Sequence, residues 1–497
     1  MSAHSIKLPP CTTKPAEELA GFASRLKLDD VPTAVRDRAK LLILDGIGLG
    51  LASHAYEFGP VSLAGIAKLA GDGGDCTVIG STSKLPLRDS VLANGILIHG
   101  LDFDDTHIEA IVHPTAACLP CALSLSEHLD LSGADLLTSY IAGMEAAVRL
   151  GMAIRGGFHH VGFHATGVIS HFSSALVAAK LLGLTEAQAI AAQGIAASTA
   201  SGVQVFLEEG AWTKRFHPGW GAVAGLTAAT LASSGFHGPS RPYEGRFGLF
   251  HAYLQDHAAD TSLDLVGEEL GQRWHFADTA IKPYPVCHFC HGAMEAAILL
   301  REEIGGRAIA SVDAYVPEKT LPIIAEPASS KKHPKTDYEA KFSVQFCVAT
   351  GLLKGRFGLA DLAQDALSDD AVLALTARVE CHADPDTRFP EAFSGGVRVT
   401  LDDGRELFKH VPINEGSGHR ALQRDTVIRK FLANATMTIG EAAAQRVCDA
   451  ILDLENLPAR TIARTLIAGR QGGPASDPRH IVQEVMSTVD SAQGAWS

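Results

Sequence analysis

The chain has 497 residues, of which 46% are hydrophobic and 20% charged, with a formal net charge of −14. That length favours two domains or more. The acidic balance argues against a nucleic-acid partner, because neutralising phosphates needs a basic surface.

The N-terminal stretch "MSAHSIKLPPCTTKPAEELAGF" shows no basic segment followed by an apolar one, so no secretory signal is expected. The run "LLILDGIGLGLAS" is too short to span a bilayer and carries Asp45. The expected protein is cytoplasmic, with no membrane partner, and its nine Cys are expected to be reduced thiols.

Helices are expected over 16–27 and 33–53, the second entered through "LDDVPT", which supplies Asp caps and a Pro near the first turn. Four further helical patterns cover 132–154, 167–184, 185–202 and 218–235. They are apolar on most faces and rich in small residues, as helices buried among other helices are. After Lys282 the texture changes. "ASVDAYVP" alternates as a strand, and "GGVRVTLDDGRELFKHVP" reads as a hairpin turning at Asp-Asp-Gly. Between them, 335–355 and 368–378 look helical, and helical patterns return at 425–437 and 440–457. The expected fold is mainly α. A large all-helical domain, 1–277 and 413–497, is interrupted by a smaller α+β domain at 278–412.

Three segments place a His just ahead of a small-residue helix: "VHPTAACLPCALSLSE" (His113), "FHATGVISHFSSALVAAK" (His164) and "KRFHPGWGAVAGLTAAT" (His217). Helix N-termini present free N–H groups and partial positive charge, so this pattern suits a small polyanion. A single such His is more often a cap or a packed turn residue. Lys214 and Arg215 stand beside the third helix start, as carboxylate-binding cations or a solvated pair. "HGLDFDDTHIEAIVHP" gathers Asp102, Asp104, Asp105, Thr106, His107 and His113. It could hold a divalent metal, orient a proton-transfer His, or form a capped acidic loop.

Lys282 opens "KPYPVCHFCHG", where Pro283 and Pro285 force extended backbone at the proposed domain junction. Cys287-x-x-Cys290-His291 has the spacing of a c-type haem attachment, and Cys118 and Cys121 repeat the Cys-x-x-Cys. Haem attachment normally follows export. Zinc needs a second pair at suitable spacing, and Cys118 and Cys121 lie in an apolar helix. These thiols are expected to be core or wall residues.

"HGLDFDDTH…HP", "FHATG", "KRFHPGW", "YEGRFG", "IKPYPVCHFCHG" and "EAKFSVQFCVATGLL" occur in this order. Together they resemble the MmgE/PrpD family, and the resemblance covers nearly the whole chain. It implies a large all-helical domain with an α+β lid, a homodimer, and cofactor-free chemistry on small di- and tricarboxylates. The positions matching the decarboxylase branch are Asp102, Thr106, His113, His164, Lys214 and Lys282. The "IEAIVHPTAACLP" segment differs from the version typical of methylcitrate dehydratases.

The expected function is therefore a cofactor-independent lyase or isomerase moving a proton next to a carboxylate. His113, Asp102, His164 and Lys214 would be catalytic. Lys282, Thr106, Arg215 and His291 would bind the anionic carboxylate substrate, and no metal is expected. Two rivals stand beside this reading: a metal-dependent hydrolase or lyase built on the Asp102–His113 cluster, and a polycarboxylate-binding protein without turnover.

Overall fold

The computed structural model describes residues 14–467. The N-terminal signal reading and the last 30 residues of the expected helical domain (468–497) lie outside the described residues. The protein is mainly helical, with a small mixed four-stranded sheet in its C-terminal region. Among the described residues no helix is long and apolar enough to cross a membrane.

The body is a stack of helices at Pro15–Arg25, Thr33–Ala52, Leu87–His99, Thr115–His128, Gly133–Ile154, Ala165–Leu181, Glu186–Ala196 and Thr213–Ser233. Local chemistry starts several of them. Ser132 and Asp135 form a reciprocal capping box at the Gly133 helix, and Thr185 with Gln188 does the same for the Glu186 helix. Each such cap contributes on the order of 1 kcal/mol.

Small residues let the body helices meet backbone to backbone. A Cβ on Gly95 would fall 2.4 Å from the Cα of Gly219, so the Leu87 and Thr213 helices cross at that pair of glycines. A Cβ on Gly225 would come 2.5 Å from the Ala175 nitrogen, which brings the Ala165 helix equally close. These contacts set the depth at which Lys214 and His217 meet the end of the Leu87–His99 helix.

The Arg424–Ala435 and Glu441–Leu452 helices share the body's hydrophobic core, through Val427, Phe431, Val447 and Ile451. A second core lies under the sheet and includes Ile108, Ile111 and Phe206 from the body. The sheet order is Val379–Ala383, Ile309–Val316, Gly395–Leu401, Glu406–Val411. The first pair is parallel and the other two are antiparallel, with Val312 opposite both Val379 and Val399. The His291–Ile304 and Val344–Lys354 helices pack on it.

Three details differ from the sequence reading. The helix expected from 218 begins at Thr213, so His217 and Pro218 lie inside it. Pro218 lacks the N–H that would bond back to the Lys214 carbonyl, a local cost that the packing of this helix has to offset. The helix expected over 335–355 is two helices, Asp337–Lys341 and Val344–Lys354. Ser343 Oγ caps the second by accepting from the Phe346 N–H at 3.0 Å. The Val379–Ala383 strand was not read from the sequence: Val379, Cys381 and Ala383 alternate with the exposed Glu380 and His382, but over only five residues at a sheet edge.

Candidate active site between body and lid

The Leu87–His99 helix ends in a turn that places Asp102 at φ 53°, a left-handed conformation that Asp tolerates better than most residues. The turn swings the Asp102 carboxylate inward to meet two ammonium groups. Lys214 Nζ donates to Asp102 Oδ1 at 2.8 Å, and Lys282 Nζ donates to the same oxygen at 2.9 Å. Lys282 also donates to the Asp102 carbonyl at 2.9 Å. All three residues are buried. Burial alone would raise the Asp102 pKa, but Lys214 and Lys282 hold it well below the usual carboxylate range. Asp102 raises that of Lys282 against the opposing effect of burial. Two ammonium groups facing one carboxylate leave a net positive charge of one in this cluster.

The next residues anchor His113. Thr106 pairs with Ala280 through two backbone hydrogen bonds of 2.8 Å, tying the acidic loop to the segment that carries Lys282. His113 Nδ1 lies 2.8 Å from the Asp105 carbonyl and 3.0 Å from Thr106 Oγ1. A carbonyl only accepts, so Nδ1 carries the proton and Nε2 keeps its lone pair. Burial, reinforced by Lys282 and Lys214, pushes the His113 pKa well below the ordinary value. The resting imidazole is therefore neutral. Asp105 is itself held well above the carboxylate range by burial and by Asp104, and its Oδ2 accepts from Thr115 Oγ1 at 2.8 Å.

His113 is one of a cluster of imidazoles. His99 and Asp104, both fully buried, pair at 2.7 Å, and the His99 ring centre lies 5.2 Å from His113 and 5.7 Å from His164. His164 precedes the Ala165 helix, and its Nδ1 sits 3.1 Å from His217 Nδ1. Burial and the neighbouring His217 and Lys214 lower the His164 pKa strongly.

These groups open on a cleft of about 470 Å³. On the body side its wall includes Asp102, Thr106, His113, His159, His164 and Lys214, with Ile111, Gln204, Phe206 and Leu207 beside them. The lid side contributes Cys287, His288, Phe289, Ile323, Phe342 and Phe393. The Lys214 ammonium lies 5.2 Å from the Phe342 ring centre, a cation–π contact that spans the two walls.

Five of the eight residues expected at the site from sequence line this cleft: Asp102, Thr106, His113, His164 and Lys214. Lys282 stands behind Asp102, fully buried. Arg215 does not reach the wall. It donates to the Gly100 carbonyl at 2.8 Å, pairs with Asp337 at 3.3 Å, and stacks 4.2 Å from the Phe58 ring centre. Nor is His291 a wall residue: its Nε2 lies 3.3 Å from the Val286 carbonyl and its ring sits 4.4 Å behind His288.

The two Cys-x-x-Cys pairs are not brought together, since Cys118 and Cys121 belong to the body core and Cys287 and Cys290 to the lid core. Burial pushes the Cys287 thiol up to about 12, so it faces the cleft as a neutral thiol. Asp102, which the metal-dependent reading needs as a ligand, is committed to two ammonium groups. Among the described residues, the groups spaced to share an ion are Asp75–Cys76–His128 and Asp384–Asp386–His410, outside the cleft wall.

Sequence reasoning missed His99, His159 and His288. His99 opens the quoted motif "HGLDFDDTHIEAIVHP" but was passed over for the carboxylates and the histidines that follow it. His159 lies in the glycine-rich "RGGFHHVG", and His288 was hidden by the more conspicuous cysteines on either side.

A helical body and an α+β region enclose a cationic, imidazole-lined cleft of a kind suited to a small anion. Residues 17–262 match the MmgE/PrpD N-terminal domain, and residues 284–456 match the MmgE/PrpD C-terminal domain. The chain belongs to the MmgE/PrpD family. It is 28% identical over 458 residues to the cis-aconitate decarboxylase of Aspergillus terreus, covering 88% of this chain and 93% of that protein. The Homo sapiens cis-aconitate decarboxylase is 28% identical over 464 residues, 91% of this chain and 94% of its own. The 2-methylcitrate dehydratase of Salmonella typhimurium is 25% identical over 454 residues, 85% and 91% respectively.

Proposed function

We propose that the protein is a cofactor-independent lyase acting on a small tricarboxylate, in the manner of the cis-aconitate decarboxylases it is similar to. The observation that carries this reading is the Lys214–Asp102–Lys282 cluster, whose uncompensated positive charge lies beside the tautomer-fixed His113. Such a cluster binds a carboxylate and stabilises the enolate-like charge that forms next to it. Buried in a low-dielectric wall, it does so with groups already in place.

His113 Nε2 is the proton carrier. At rest the imidazole is neutral because two lysines and burial disfavour its cation. An arriving polyanion reverses that balance, since its negative charge near Nε2 favours imidazolium. In the decarboxylation direction one carbon–carbon bond breaks and carbon dioxide leaves. The electron pair passes into the conjugated system bearing the neighbouring carboxylate, and His113 delivers one proton to carbon. Run as a dehydration, the same nitrogen removes a proton and hydroxide leaves. His164 is the second proton carrier or carboxylate ligand, and Thr106 orients His113. The proposed division is a body of 1–277 and 413–497 closed by a lid of 278–412.

Incubation with cis-aconitate in deuterium oxide, followed by proton NMR, tests the reading. The expected product is an unsaturated dicarboxylate carrying one solvent deuterium. Folded protein that leaves cis-aconitate and citrate-like acids unchanged would rule the reading out.

A further inference from the structure

The lid wall of the cleft is apolar except at two places, the Cys287 thiol and the His288 ring. His288 is 3% exposed and sits in the short turn His288–Cys290 that leads into the His291–Ile304 helix. Its Nε2 lies 2.8 Å from Asn414 Nδ2. The orientation of that amide is set by its other contacts: Asn414 Nδ2 also donates to the Glu415 carbonyl at 2.9 Å, and Asn414 Oδ1 accepts from Ser417 Oγ at 3.3 Å. Asn414 is therefore the donor and His288 Nε2 the acceptor. Burial, with His291 and Lys282 nearby, keeps the ring neutral. A neutral imidazole whose Nε2 accepts carries its proton on Nδ1.

That Nδ1 is buried and has no hydrogen-bond partner among the described residues. An unsatisfied buried N–H is costly, so it calls for a partner that a water or a ligand can supply. The turn that holds Asn414 is itself rigidly placed. Glu415 N donates to Glu295 Oε2 at 2.8 Å, and Arg420 Nη1 donates to the Ile413 carbonyl at 2.6 Å. Gly416, at φ 90°, lies where a Cβ would come within 2.4 Å of the Ile281 carbonyl.

The geometry points to His288 as the lid's substrate-binding residue, its Nδ1–H donating to an oxygen of the substrate carboxylate farthest from the reacting carbon, with Asn414 as the positioning residue that fixes the tautomer. This rests on the tricarboxylate reading above and adds to it how the far end of the substrate is recognised. The body wall meets anionic oxygens with an ammonium and several imidazoles. The lid meets one oxygen with one neutral donor set among Phe289, Phe342 and Phe393. A methyl group in place of that carboxylate would leave the N–H buried and unpaired, so the site selects strongly for an acceptor there.

The test measures calorimetric binding and steady-state turnover with cis-aconitate and with its analogue bearing methyl in place of the distal carboxylate. The unaltered protein is expected to bind the analogue about 10- to 100-fold more weakly. In His288→Leu that preference should collapse to within about threefold, through a rise in KM for cis-aconitate with kcat little changed. His288→Gln, which keeps an N–H donor, should restore most of the affinity. Asn414→Leu should raise KM in the same way, and the double variant should be no worse than His288→Leu alone. A merely structural role for Asn414 predicts additive losses instead. If the unaltered protein does not distinguish the two acids, or if His288→Leu keeps the full preference, the assignment of His288 is overturned while the tricarboxylate reading stands. If the unaltered protein binds neither acid, both fall.

Discussion

The two walls of the cleft are built on different principles. The body wall is polar and prearranged: Asp102, Lys214, Thr106 and His113 hold one another through hydrogen bonds of 2.8–3.0 Å, and every partner lies in the body or on the connector at Lys282. The lid wall is mostly aromatic and aliphatic, with Phe289 and Phe393 ring centres 4.9 Å apart and Phe389 and Phe393 5.6 Å apart. Charged groups inside a protein must be satisfied before the ligand arrives, and here Asp102 and Lys214 of the body are satisfied together with Lys282 of the connector. Apolar side chains carry no such requirement and tolerate changes of shape. On the proposed function the chemistry would reside in the body wall and selectivity in the lid wall, which suits a family whose members share a scaffold and differ in reaction.

The strongest challenge to this contrast is His113→Ala. It should lower kcat by about 10²–10⁴-fold while cis-aconitate binding persists. Full turnover in a folded variant, checked by circular dichroism, would move the chemistry elsewhere.

Asp102→Asn probes the prearranged charges. It leaves two buried ammonium groups facing a neutral amide, and urea unfolding should show a loss of about 3–5 kcal/mol. A loss below about 1 kcal/mol, the level of an exposed pair, would mean that the cluster is solvated and not prearranged.

Acid should weaken the body through its buried imidazoles. Burial pushes His107 down to about 3 and His171 to about 4, and His113 and His164 lie well below their ordinary value. Below pH 6.5 the unfolded chain takes up protons that the native rings refuse. Stability is then full above pH 6.5 and is lost as pH falls from 6.5 towards 4, by about 1.4 kcal/mol per pH unit for each such ring. The raised carboxyls of Asp105 and Asp45 work in the opposite direction and reduce the net slope. Urea midpoints measured between pH 8 and pH 5 should fall on the acid side. Constant midpoints would mean that the imidazoles are hydrated.

Phe393→Leu, in the lid, should be the mildest change. It should alter stability within about 1.5 kcal/mol yet shift by about tenfold the kcat/KM ratio between cis-aconitate and a homologue with one more methyl group. An equal loss for both acids would place Phe393 in the chemistry.

How much of this was legible in the sequence follows the same division. Asp102, Thr106, His113, His164 and Lys214 stand in compact motifs of charged and imidazole residues between apolar helices, and all five line the cleft. Lys282 was visible from its proline-stiffened setting, but one sequence could not say that it would face Asp102 from behind. Arg215 was misleading because its neighbour Lys214 belongs to the wall. One residue turns a helical side chain by about 100°, and that carries Arg215 to Asp337 and Phe58 instead. Of the lid wall only Cys287 was anticipated, as a core or wall thiol; Phe342 and Phe393 look like any core aromatic and are brought together only by the fold. The helices were read well where their periodicity ran long, and their ends less well where Ser343 or Pro218 competed.

One contact has a consequence for how the protein is made. Lys430, on the Arg424–Ala435 helix, reaches Asp45 Oδ1 at 2.7 Å and donates to the Phe103 carbonyl at 3.0 Å, next door to Asp102. The ribosome reaches Lys430 more than three hundred residues after Phe103, roughly 15–65 s later at typical elongation rates. Until then Asp45 lacks its counter-charge and the acidic loop lacks its brace. A nascent chain that has finished its first helices still lacks this brace, and the loop that carries Asp102 is held only once the helix bearing Lys430 has been made.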